Sequence, residues 1–154
     1  KFQKDDGILL KREILPIGIF GIILIGFCLS PIFRIPGEKN YKILEQLIKK
    51  GAPKEQIYNT GDRSIEGLLN SPYPPSKIAL LSIQLEQYEL AVKHLKESIK
   101  RTPHRSSYHY WIAYVYAKMG KINEASKSIE QAIFWYPSNK NYIKLAIYIN
   151  NINK

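Results

Sequence analysis

Residues 72–105 and 106–139 align with one another at an offset of 34, and this internal repeat constrains the fold more than any other feature of the chain. Ile78 pairs with Ile112, Ala79 with Ala113, Ala91 with Ala125, Leu95 with Ile129 and Pro103 with Pro137, while Ser98 meets Ala132, another small residue. Apolar residues recur at i, i+3, i+4 and i+7, the signature of a helix with one buried face. The small residues mark points where two helices of a hairpin approach closely, and the prolines stop the second helix of each copy. Gly120 falls at the end of the first helix of the second copy, where a residue free to take positive φ is wanted. The pattern predicts helices over 75–86, 88–102, 106–119 and 122–135, with a fifth at 139–151.

The second copy, WIAYVYAKMGKINEASKSIEQAIFWYP, resembles the tetratricopeptide repeat family at Ala113, Tyr116, Gly120, Ala125, Ala132 and Pro137. The first copy departs from that pattern: Ser82 replaces the aromatic, Glu86 the glycine and Ser98 the alanine of the second helix. Glu86 leaves open how the turn between the helices of that copy closes. Each unit buries its apolar face only against neighbours, so both ends of the pair need covering. The fifth helix, NKNYIKLAIYIN, is expected to cap one end, because Ala146 arrives one residue early for a third copy. At the other end Asn40 is expected to cap a helix YKILEQLIKK that stops at Gly51 before Pro53, followed by a short apolar stretch, SIEGLLN.

Resemblance to this family implies that the first helix of each repeat lines a concave groove. The matching positions are Ser107, Tyr110, Tyr114, Ala117 and Lys118 in the second copy, and Tyr73, Ser76, Leu80, Ile83 and Gln84 in the first. Tyr110, Tyr114 and Lys118 share one helix face, an aromatic ridge ending in a cation that suits an extended peptide or a sugar ring. Packing against the neighbouring helix is the commoner role for aromatics at this spacing. Lys93, Lys96 and Lys100, joined by Arg101 and Arg105, form a basic strip that suits either an anionic surface or a plain solvated face.

Upstream, Ile14 to Phe33 are twenty consecutive residues without a charged side chain. As a helix they would cover roughly 30 Å, the thickness of a bilayer's hydrocarbon core. The expected architecture is therefore all-α: a polar flank at 1–13, a transmembrane helix at 14–33 in contact with the lipid bilayer, a helical linker at 34–71 and a repeat domain at 72–154. Neither a signal-peptide cleavage site nor a lipoprotein motif stands around Cys28, and the basic residues flanking the span nearly balance, so orientation is not fixed.

The net charge of +10 is spread out, with no basic run longer than two, and no nucleic-acid reader motif is present, so no nucleic acid partner is expected. His94, His104 and His109 are the only histidines and Cys28 the only cysteine, and none has the spacing of a metal site. No catalytic constellation and no cofactor motif stands in the chain, which leaves binding as the expected activity. Two settings compete. A Thr-Pro turn, a helix, a glycine turn and a helix ending in Tyr-Pro make residues 100–137 similar to the C-terminal tail of bacterial O-antigen ligases and protein O-oligosaccharyltransferases. That resemblance implies a glycan-transferring parent in the inner membrane with this tail in the periplasm, and the start at Lys1 fits a fragment. The other setting is a stand-alone, single-span envelope adaptor or assembly factor binding a protein partner.

Overall fold

The computed structural model describes residues 35–152. All the regular structure in it is helical. Helix α1 covers residues 35–50, followed by α2 (Lys54–Gly67), α3 (Tyr73–Gln84), α4 (Tyr88–Arg101), α5 (Ser106–Lys118), α6 (Ile122–Trp135) and α7 (Lys140–Ile152). Short turns fold α1 and α2, α3 and α4, and α5 and α6 into hairpins. α4 packs on α5, and α6 on α7.

The apolar stripe of each helix meets its neighbours in three clusters. Leu44, Ile57 and Ile78 join the first hairpin to α3. Ala79, Ala91, Leu95, Ile112 and Val115 lie between the second and third hairpins. Ala113, Ala125, Ile129 and Ala132 are sealed by Tyr142, Leu145 and Ile149 of α7. The four repeat alanines, Ala79, Ala91, Ala113 and Ala125, are completely buried, as helices in close contact require. The helix bounds fall within two residues of those expected, and α7 covers the last core cluster.

The question raised by Glu86 has a direct answer. Glu86 adopts φ 57°, matching Gly120 at φ 72°. Glu86 N–H donates to Ile83 O at 3.1 Å and Gln87 N–H to Ser82 O at 2.8 Å; Gly120 and Lys121 repeat these bonds to Ala117 O and Tyr116 O at 3.1 and 2.9 Å. The turn is the same in both copies, closed in one by a non-glycine residue in the left-handed region. Ser82 and Ser98 are equally accommodated: each is fully buried. Ser82 Oγ donates to Ile78 O at 2.9 Å, and Ser98 Oγ to His94 O at 3.0 Å. The small Ser82 leaves its hydroxyl beside Tyr58 OH of α2, which takes space the expected aromatic would fill.

One expectation is corrected upstream. Asn40 is not a helix cap, because the helix already runs from residue 35; the apolar stretch SIEGLLN forms the end of α2 and its turn. Glycines at positions 61 and 67 weaken the helical pattern there, yet they serve close packing. A Cβ on Gly61 would stand 2.1 Å from Ile78 Cδ1, and one on Gly37 would stand 2.5 Å from the Gly67 carbonyl carbon. α1 and α2 therefore cross backbone to backbone.

The expected membrane localisation, an inner membrane with a periplasmic tail, is also corrected. Among the described residues no helix is long and apolar enough to cross a membrane. Helices of 12–16 residues rise only about 18–24 Å. Their polar faces carry Lys, Glu and Asn. The stretch 14–33 that carried the expectation lies outside the described residues.

Candidate functional site

A concavity lies where α5 faces α7. Tyr110, Tyr114 and Lys118 stand one turn apart along α5, with Ala117 beside them, and Asn141, Lys144, Leu145 and Tyr148 complete the wall from α7. The groove encloses about 440 Å³. It is open to solvent and lined by aromatic rings.

These rings are held in place from behind. Tyr110 stacks on Tyr142 with centroids 5.0 Å apart and planes inclined by 26°. Trp111 meets Tyr110 edge-on at 5.2 Å and Tyr114 at 6.0 Å. Tyr110 and Tyr114 also pack on the core cluster that α7 closes. They are thus packing residues that also form part of the groove wall. Burial pushes the Tyr110 hydroxyl's pKa up, with smaller contributions from Tyr114 and Tyr142. Lys118 Nζ sits 5.7 Å from the Tyr114 ring centre, a cation–π contact that orients the ammonium at the groove's edge. Among the described residues, Lys118 and Lys144 are the charged residues of its lining, which makes this wall electropositive. Among the described residues no group of His, Cys, Asp and Glu could hold a metal ion.

The structure brings four of the ten expected groove residues, Tyr110, Tyr114, Ala117 and Lys118, together here. Ser107 is half-buried at the start of α5. In the first copy, Ser76 is buried, its Oγ donating to Tyr73 O at 2.9 Å, and Ile83 packs on the second core cluster. Leu80 is half-buried, while Tyr73 and Gln84 are exposed. None of these lines the α5–α7 groove. Sequence reasoning missed the α7 wall, although Lys144 and Tyr148 follow Tyr110 and Tyr114 by the repeat offset of 34.

The basic strip is divided. Lys93, Lys96 and Lys100 are exposed on α4. Arg101 is turned inward, its side chain 7% exposed; Nε meets Glu97 at 2.8 Å, and Nη1 donates to Leu68 O and Ser71 O at 2.8 and 2.7 Å. Arg105 lies elsewhere, across the rings of Tyr73 and Tyr108.

Stacked antiparallel helical hairpins define a helical-repeat protein. The family model for the tetratricopeptide repeat matches residues 76–105 and 106–139, and the chain contains two tetratricopeptide repeats. No curated protein matches the chain significantly. Among solved structures, it is similar to the first tetratricopeptide domain of Spaghetti (RPAP3) bound to the HSP90 peptide SRMEEVD, at 13% identity and TM-score 0.69, covering 77% of this chain and 94% of that one. The second such domain of human RPAP3, in complex with the HSP70 peptide SGPTIEEVD, is 20% identical with TM-score 0.67, covering 79% and 98%. MamA is 15% identical with TM-score 0.70, covering 99% and 86%. At these identities the likeness establishes the fold.

Proposed function

We propose that the α5–α7 groove holds an extended acidic segment of a protein partner, making the chain an interaction module. The observation that carries this reading is the groove itself, with three tyrosines for contact area and two lysines without a carboxylate in the lining. Rigid tyrosines supply large contact surface at low entropic cost. The ammonium groups favour a chain bearing negative charge. Two structures of the same fold hold acidic peptides, which supports a peptide over a sugar ring. The resemblance to an O-antigen ligase tail gains no support from these likenesses, and an adaptor or assembly factor is the setting that fits the groove.

The test is fluorescence anisotropy with labelled nonapeptides of acidic, neutral and basic composition. The acidic set is expected to bind. Lys118→Glu with Lys144→Glu should weaken binding by about a hundredfold, two charge contacts at roughly 1.4 kcal/mol each. Tyr148→Ala, at an exposed ring, should weaken it with the fold intact. Equal capture of all three peptide sets, or binding untouched by the double lysine reversal, would refute the reading.

A further inference from the structure

A second polar cluster lies where α1, α3 and the start of α5 meet. Tyr41 OH donates to Glu45 Oε1 at 3.1 Å, and Glu45 pairs with Lys77 at 3.3 Å, so its charge is answered within the fold. Arg105, just before α5, places its guanidinium 5.7 Å from the Tyr73 ring centre and 5.5 Å from that of Tyr108. No carboxylate among the described residues pairs with it. Tyr108 is 5% exposed, and its hydroxyl is buried without a hydrogen-bond partner. Burial, Glu45 and the nearby Tyr73 and Tyr108 together raise the Tyr41 pKa to about 12, so the three phenols share one neighbourhood.

An orphan buried hydroxyl is uncommon in native folds and calls for an explanation. Here the ring that carries it lies 5.5 Å from the guanidinium of the exposed Arg105, which among the described residues is held by ring faces and by no carboxylate. A ligand completing this cluster must accept hydrogen bonds and carry negative charge. Arg105 already holds the place between the two rings that an organic cation would take. We propose that Arg105 and Tyr108, flanked by Tyr41 and Tyr73, form an oxyanion site that takes a carboxylate or phosphate group. The Arg105 side chain shifts to admit the anion, and the Tyr108 hydroxyl donates to it. The site shares no lining residue with the α5–α7 groove: Tyr110, the groove residue nearest in sequence, is two positions from Tyr108 on α5 and so lies about 200° around the helix. It does not rest on the peptide reading of that groove.

The experiment is a nuclear magnetic resonance titration of the full chain at constant ionic strength, following the Arg105 Nε–H and Tyr108 ring signals. Two probes distinguish the sources of the oxyanion: sodium phosphate, and an end-blocked glycine pentapeptide with a central glutamate, compared with its glutamine twin. Saturable shifts with phosphate identify a free anion; shifts with the glutamate but not the glutamine peptide identify an acidic side chain. In either case Arg105→Gln abolishes the response. Tyr108→Phe weakens it about tenfold, as loss of a hydrogen bond to a charged group does, and raises the melting temperature, because the lost hydroxyl had no partner. Absence of saturable shifts with both probes overturns the proposal, as does unchanged affinity or a lowered melting temperature in Tyr108→Phe.

Discussion

Replacing Glu86 by glycine should make this protein more stable, and replacing Gly120 by alanine should make it less so. The two residues occupy the same position of the same turn, at φ 57° and φ 72°, and their backbone hydrogen bonds agree within 0.1 Å. Holding a residue with a Cβ in the left-handed region costs about 1–2 kcal/mol. Glycine avoids that strain but loses about 0.5–1 kcal/mol more conformational entropy on folding. Glu86→Gly is therefore expected to gain about 0.5–1 kcal/mol, or roughly 2–4 °C in melting temperature for a chain of this size. Glu86 is exposed, and among the described residues no hydrogen bond or ion pair holds its carboxylate. A Cβ on Gly120 would meet nothing within 4 Å, so Gly120→Ala isolates the backbone term, a loss of about 1 kcal/mol. Urea denaturation of both variants measures the pair through the midpoint at unchanged slope. Loss of stability in Glu86→Gly, or a neutral Gly120→Ala, would refute the reasoning.

Three further outcomes follow from the packing. Arg101→Met removes a guanidinium bound to Leu68 O, Ser71 O and Glu97; a loss of about 2–4 kcal/mol is expected, and Arg101→Lys should recover little of it, because an ammonium does not reproduce the fork. Gly37→Ala drives a methyl group into the Gly67 backbone and should cost about 1–3 kcal/mol, read as earlier amide exchange in α1 and α2. His94 is buried, and its pKa is lowered, first by burial and then by Lys93, against smaller opposing effects of Asp62 and Glu97. The folded protein then binds this proton less readily than the unfolded chain. Stability should be full above pH ~6.5 and fall as pH drops toward the lowered value, by at most about 1.4 kcal/mol per pH unit. Denaturation at stepped pH should show that slope in the native protein and not in His94→Gln.

The repeats were readable because their signal is local. Alanines and prolines recurring every 34 residues fix where helices touch and stop, whatever else surrounds them. The α1–α2 hairpin was legible only as a helical linker: the need for glycine at 61 and 67 depends on Ile78 and Gly37 across the interface, which local pattern does not reveal. The α5 side of the groove was expected from the family resemblance, which places the first helix of each repeat there; the α7 side depends on α7 docking beside it, and Ala146, one residue out of register, obscured the equivalence of Lys144 and Tyr148 to Tyr110 and Tyr114. Arg101 was misread because sequence separation conceals its carbonyl partners 30 and 33 residues away. Tyr108 gave no sequence signal at all.

Tyr114 and Tyr116 of α5 pack against two core clusters at once, the one shared with α4 and the one sealed by α7. A cut between residues 105 and 106 would divide the middle cluster, leaving Ala79, Ala91 and Leu95 on one fragment and Ile112 and Val115 on the other, while the first and last clusters stay whole. The array therefore behaves less like beads on a string than like an arch, in which α5 is the stone that bears on both sides.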